Sequence, residues 1–226
     1  MKLFVWDFHG VLEKGNDHAV LEISNMALEM HGHARRLTYE ECERFAGLKW
    51  IEYFTHMLPD LPDASHLELH ASCLEITKNR PELVSKHICL NDHAYDVLEQ
   101  IDRSHCSQIL ISNCAPHVLD WFVSHLRIEK FFPPQYRFGV DAPHQHASKQ
   151  ECLKNFLEKN SFPEGVVTIG DSPSDMQLAE LHPRSVRYMY TYPGRFHREA
   201  DCHYKIHDLR HVLKEIQQRT NSRCSS

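Results

Sequence analysis

Three short stretches of the chain are apolar without alternation, and each runs out into small or acidic residues: "KLFVWDF" (2–8), "QILISNC" (108–114) and "GVVTIGDS" (165–172). A strand that is apolar at nearly every position is covered on both faces, so these runs predict a parallel sheet with helices on either side. Helical periodicity lies between them. Ala94, Val97, Leu98 and Ile101 recur at the spacing of one helix face, as do Leu119, Phe122, Val123 and Leu126. "SKQE" sets Ser148 and Glu151 at capping-box spacing ahead of Cys152, Leu153, Phe156 and Leu157. That arrangement predicts a helix starting at Ser148, with Lys149 in its first turn. "SVRYMY" (185–190) reads as a further strand, Leu209, Val212, Leu213 and Ile216 as a last helix, and "QQRTNSRCSS" (217–226) as a frayed tail.

The interval from Gly15 to Lys86 has helical patterns, such as Val20, Ile23, Ala27 and Met30, and no convincing strand. Prolines in "LPDLPDASH" (58–66) and "NRPEL" (79–83) mark breaks between its helices. The length of 226 residues suits one domain with a sizeable insertion or two modest domains. The expected organisation is an α/β core made of residues 1–14 and 87–226, interrupted by an all-helical insertion, 15–86.

Composition narrows the partners. Hydrophobic residues at 42% and charged residues at 25% are ordinary for a globular chain and argue against a long disordered region. A net charge of −6 gives no general attraction to nucleic acid or anionic membrane, so a small soluble partner is expected. The apolar run after Lys2 ends at Asp7, too short for a signal peptide or a membrane span, and a cytoplasmic location is expected. The eight cysteines are dispersed without CxxC pairs, as reduced structural thiols are. Among nineteen histidines, "HGH" (His31, His33) and "HQH" (His144, His146) invite a zinc reading, but neither has partners at finger or zincin spacing. Exposed or capping roles are preferred for them.

Ligands bind open parallel sheets beyond the carboxyl ends of the strands, where Asp7, Ser112 and Asp171 all fall. Any one of them alone is explained as a helix cap. Three together point to one crevice. Lys149 opposes the dipole of its own helix, a local cost that favours a functional role, whereas Asp175 suits a first turn after Pro173 whether or not it binds a metal.

The segments "DFHGVL", "LISN", Lys149 and "GDSPSD" follow the order of the four motifs of the haloacid dehalogenase superfamily, which the chain resembles over almost its whole length. The resemblance implies a three-layer α/β/α, Rossmann-like parallel sheet with a helical cap inserted between the first and second motifs. It also implies that Asp7 is the nucleophile, that Ser112 and Lys149 bind phosphate, and that Asp171 and Asp175 join Asp7 and the His9 carbonyl around Mg²⁺. The chemistry is consistent with phosphoryl transfer. A carboxylate attacking a phosphate meets repulsion that Mg²⁺ and a fixed cation reduce, while Gly10 lets the backbone approach and Ser112, with Asn113 beside it, faces the substrate.

One position departs from the family pattern. Most phosphatases of this family carry an aspartate two residues after the nucleophile as acid and base, and here that residue is His9. Imidazole titrates near neutrality and can do the same work. The expected activity is a Mg²⁺-dependent phosphatase of a small phosphorylated metabolite, working through an aspartyl-phosphate on Asp7. The alternatives are a phosphonatase or dehalogenase on the same scaffold, or a binding protein without turnover. Lys49 in "AGLKW" is the candidate for an imine-forming, substrate-binding lysine in the cap, and Arg195 and His197 in "YPGRFHRE" are weaker anion-binding candidates.

Overall fold

The computed structural model describes residues 1–140, 148–193 and 195–217. His144, His146 and the tail beyond 217 lie outside the described residues. The chain opens with β1 (Leu3–Trp6) and β2 (Glu13–Lys14), followed by helices α1 (Asn16–Met30), α2 (Tyr39–Phe45), α3 (Trp50–Met57), α4 (Asp63–Asn79) and α5 (Glu82–Ser85). It continues through β3 (Cys89–Leu90), α6 (Ala94–Asp102), β4 (Ser107–Ser112), α7 (Pro116–His125), β5 (Arg137–Gly139) and α8 (Lys149–Lys159). Last come β6 (Val166–Gly170), α9 (Pro173–Gln177), β7 (Ser185–Tyr190), β8 (Tyr204–Ile206) and α10 (Lys214–Gln217). Among the described residues no helix is long and apolar enough to cross a membrane.

The main sheet is parallel throughout, in the order β5-β4-β1-β6-β7-β8. Chain order runs outward in one direction from β1 and then in the other from β6. The β1/β6 boundary is therefore the topological switch point where open α/β sheets bind ligands. Both faces of the central strands are covered, as the unbroken apolar runs predict. Leu3 and Val5 pack with Ile109, Val166, Leu153 and Phe156 on one side, and Phe4 and Trp6 with Leu110, Val167, Leu98 and Phe122 on the other. The indole of Trp6 donates to Gln108 Oε1 at 3.1 Å, and Gln108 Nε2 donates to the Leu98 carbonyl at 3.0 Å, so the one amide buried beside β1 is satisfied.

Helices α1 to α5 all lie between β2 and β3, in the stretch expected as the insertion, and α3 and α4 meet across the proline-bearing break. Its base is closed by an antiparallel ribbon in which Glu13 pairs with Leu90 and Lys14 with Cys89. Periodicity did not reveal this ribbon, because two residues per strand carry no alternation. The edge strands β5 and β8, three residues each, are also too short to show a pattern. The pattern of Val20, Ile23, Ala27 and Met30 lies on α1, with Met30 at its exposed end. One expectation needs correction: the expected last helix is a 3₁₀ segment over Leu209–Leu213 running into the short α10. Leu209, Val212 and Leu213 are buried all the same, since a spacing of three or four residues faces one side in either helix type.

Gly15 begins α1 at φ 101°, and a Cβ there would lie 2.1 Å from the His87 carbonyl oxygen, where the chain returns from the insertion. Gly15→Ala is expected to lower the unfolding free energy by at least about 1–2 kcal/mol from the left-handed backbone alone, read as a lower denaturant midpoint. An unchanged midpoint would contradict this packing of the two connecting strands.

Candidate active site

The sheet register assembles the site. Trp6 is level with Leu110 and Ile169 on the two neighbouring strands, and the amide of Asp7 still donates to the Ile169 carbonyl at 2.9 Å. Asp7 therefore leaves β1 beside Asp171, which leaves β6, while Ser112 ends β4 on the other flank. Gly10 turns the loop back at φ 74°, and a Cβ on it would stand 2.3 Å from Asp171 Oδ2, so only glycine lets this loop lie against that carboxylate.

Lys149 completes the cluster. Ser148 and Glu151 form the expected capping box, which starts α8 and points the next side chain inward. The Lys149 ammonium is 4% exposed and donates to Asp7 Oδ1 and Asp175 Oδ1, each at 2.7 Å. Asp175 is itself held by α9, its Oδ2 accepting from the Ser172 hydroxyl at 2.5 Å and the Ser172 amide at 3.2 Å. Asp171 Oδ1 and Ser112 Oγ are buried with no hydrogen-bond partner among the described residues.

One ammonium faces three carboxylates, and the electrostatics follow. Burial, then the charge of Asp175, push the Asp7 carboxyl up to about 6 against the pull of Lys149. Burial, then Asp7 and Asp175, hold Asp171 well above the usual carboxylate range. Burial opposes the charge on Lys149, but Asp175 and Asp7 keep its pKa above that of an ordinary lysine. Among the described residues, Asp7, Asp171 and Asp175 form the one group of three potential metal ligands, with an oxygen from each inside a 4.8 Å span. An oxygen-only, anionic donor set with an unpartnered buried oxygen suits a hard divalent cation.

His9 lies over this cluster. Its Nδ1 is 2.9 Å from Glu13 Oε1, and its ring stands edge-on to Phe8 and Phe122, at 5.0 and 5.1 Å between centroids. Burial works against charge on the ring, but the Cys114 thiol and the Glu13 carboxylate push its pKa up to about 10.

The fold that carries these residues has counterparts among known proteins. The family model for haloacid dehalogenase-like hydrolases matches residues 4–182. The chain belongs to that family. No curated protein sequence matches it. A haloacid dehalogenase-like hydrolase from Streptococcus pneumoniae superposes with a TM-score of 0.74 at 16% identity, covering 94% of this chain and 96% of its own. A protein described as a "predicted phosphatase" from Clostridium acetobutylicum gives 0.76 at 12% identity, with 96% and 98% covered. A family hydrolase from Deinococcus radiodurans, solved with bound phosphate and sodium, gives 0.64 at 12%, with 94% and 95% covered. At such identities the likeness speaks for the fold alone.

In this haloacid dehalogenase-like hydrolase a cleft with about 180 Å³ of free space lies between the insertion and the sheet, and Asp7, His9, Gly10, Ser112, Asn113, Lys149 and Asp171 all line it. Asp175 lies behind Lys149 and does not line the cleft. Asn113 spans the gap, its Nδ2 donating to the Gly47 carbonyl at 3.1 Å. Lys49 is the residue before α3 and is not among the lining residues, so it does not offer the cleft an imine-forming amine. Arg195 reaches the cleft but is paired with Asp17 at 3.1 Å and lies 3.7 Å from Glu43, and His197 Nε2 accepts from the Tyr192 amide at 2.9 Å. Sequence reasoning missed Arg198, which lines the cleft and bonds the Ala46 carbonyl, and Glu13, whose only signal is a carboxylate closing the apolar run "GVLE".

Because the shifts of Asp7 and Asp171 are upward, the folded chain favours their protonated forms, and their contribution to stability is full at low pH. For Asp7 it is lost as pH rises from about 3.8 to about 6. At pH 7 Asp171→Asn is therefore expected to raise the Tm in chelator and to abolish the rise in Tm with Mg²⁺ that is expected of the unaltered protein. A Mg²⁺-induced shift that survives this substitution would remove Asp171 from the metal site.

Proposed function

We propose that the chain is a Mg²⁺-dependent phosphatase acting on a small phosphorylated metabolite enclosed between the sheet and the helical insertion. The observation that carries this reading is the Lys149 bridge: it engages Asp7 Oδ1 at 2.7 Å, and no ion pair among the described residues takes Oδ2, the oxygen proposed as nucleophile. The phosphate bound in the Deinococcus radiodurans hydrolase and the description of the Clostridium acetobutylicum protein add support.

Asp7, Asp171 and the His9 carbonyl, with Asp175 adjoining, would hold Mg²⁺, which when bound offsets the negative charge of the phosphoryl oxygens and of the carboxylate that attacks them. The unpartnered hydroxyl of Ser112 donates to one phosphoryl oxygen, and the Lys149 ammonium keeps Asp7 ionised and aimed. Asp7 Oδ2 attacks phosphorus while the bond to the leaving oxygen breaks. Protonated His9 gives its proton to that oxygen. Neutral His9 then takes a proton from a water whose oxygen attacks phosphorus, releasing phosphate and restoring the Asp7 carboxylate. The apolar side of the cleft, from Val20, Ile23 and Trp50, accepts the uncharged part of the metabolite.

A panel of phosphomonoesters assayed with and without Mg²⁺ is expected to show turnover only with the metal, to lose it in Asp7→Asn, and to fall by roughly 10²–10⁴-fold in kcat in His9→Asn. Turnover that persists in Asp7→Asn contradicts the proposal. The raised pKa of His9 sets the alkaline limb: the proton donor is present below its ordinary value of 6.5 and is lost only as pH rises through about 10. A kcat that already collapses near pH 6.5 would contradict His9 as the acid.

A further inference from the structure

Glu13 is completely buried, yet it is a carboxylate in a turn whose neighbours Val11 and Leu12 are core residues. Its backbone is fixed. The Phe8 carbonyl accepts from the amides of Val11, Leu12 and Glu13 at 3.3, 3.0 and 3.2 Å, and β2 then holds Glu13 opposite Leu90. Glu13 Oε1 receives the Gly10 amide at 3.3 Å and lies 2.9 Å from His9 Nδ1, while Oε2 is buried without a partner among the described residues. His9 is the one ion-pair partner the described residues give it. A fully buried carboxylate with one oxygen unpartnered costs desolvation free energy that an apolar side chain would not. The placement is explained by the ring it touches.

A carboxylate that accepts from Nδ1 fixes a histidine's rotamer and its tautomer, and leaves Nε2 as the nitrogen for other work. Here the ring is also clamped edge-on by Phe8 and Phe122, and it lines the cleft beside Asp7 and Cys114. We propose that Glu13 is a positioning residue for His9, forming with it a buried carboxylate–imidazole dyad that orients the ring over the substrate's leaving oxygen. This inference rests on the reading of His9 as the group that moves protons in the phosphatase reaction. It couples the two positions: a carboxylate at position 13 suits an imidazole at position 9 and repels a carboxylate there.

The test is a double-substitution cycle on the full chain with para-nitrophenyl phosphate and Mg²⁺, with each variant's Tm measured alongside kcat and KM. Glu13→Met, close in length but without an acceptor, is expected to lower kcat about 10–100-fold with KM nearly unchanged. Glu13→Gln, whose amide oxygen still accepts from Nδ1, is expected to retain part of the rate and covers the case of Glu13→Met failing to fold. In the His9→Asp background, Glu13→Met is expected to raise kcat, because it removes the opposing carboxylate. An equal loss in both backgrounds overturns the inference, since Glu13 then acts through the loop and not through His9. Unaltered kcat in Glu13→Met together with loss in His9→Asn overturns it alone. Unaltered kcat in both single variants overturns the reading of His9 as well.

Discussion

The buried ammonium of Lys149 is the interaction on which the site depends. Three carboxylates converge at the switch point of the sheet, and in a dry pocket they could not remain ionised together without a cation. Lys149 binds two of them at once, at 2.7 Å each, and ties α8 to the ends of β1 and α9. It does not balance all three. The remaining negative charge is carried by Asp7 and Asp171, whose raised pKa values express it. Such residual charge destabilises the bare fold and would give the proposed divalent cation its affinity, the usual trade at sites that bind charged reactants.

The rest of the architecture serves that convergence. The order of the six strands puts β1 and β6 side by side at the point where chain order reverses, and the shared register brings Asp7 and Asp171 out at one level. The capping box at Ser148 starts α8 at the turn that sends Lys149 inward. Gly10 removes the one Cβ that would push the loop off Asp171. The insertion then covers the site through a short antiparallel ribbon, with Asn91 donating to the Val11 carbonyl at 2.9 Å beside that connection.

The legible parts of the sequence were those governed by local rules. Strands covered on both faces announce themselves as unbroken apolar runs, and three such runs located β1, β4 and β6. The spacing of Ser148 and Glu151 gave the start of α8 to the residue. Order of motifs across the chain pointed to Asp7, Ser112, Lys149 and Asp171, and these now line one cleft. What stayed hidden depends on contacts between distant segments. The ribbon of β2 and β3 is too short to carry a pattern, and the exposure of Met30 depends on where the helices of the insertion stop covering one another. Lys49 and Arg195 looked alike as basic residues in suitable regions, but only the fold separates a lysine outside the cleft from an arginine already neutralised by Asp17. Glu13 was invisible because a single carboxylate in an apolar run acquires meaning only when its partner is known.

In the proposed reaction Asp7, ionised and aimed by Lys149, forms the covalent bond to phosphorus. Acid quenching during turnover with a phosphomonoester and Mg²⁺, followed by peptide mass spectrometry, tests it most directly. The account predicts a peptide bearing Asp7 that is heavier by one phosphoryl group, acid-stable and lost on mild base treatment. A phosphoryl group found on any other residue, or turnover at full rate with none on Asp7 at any quench time, would contradict it.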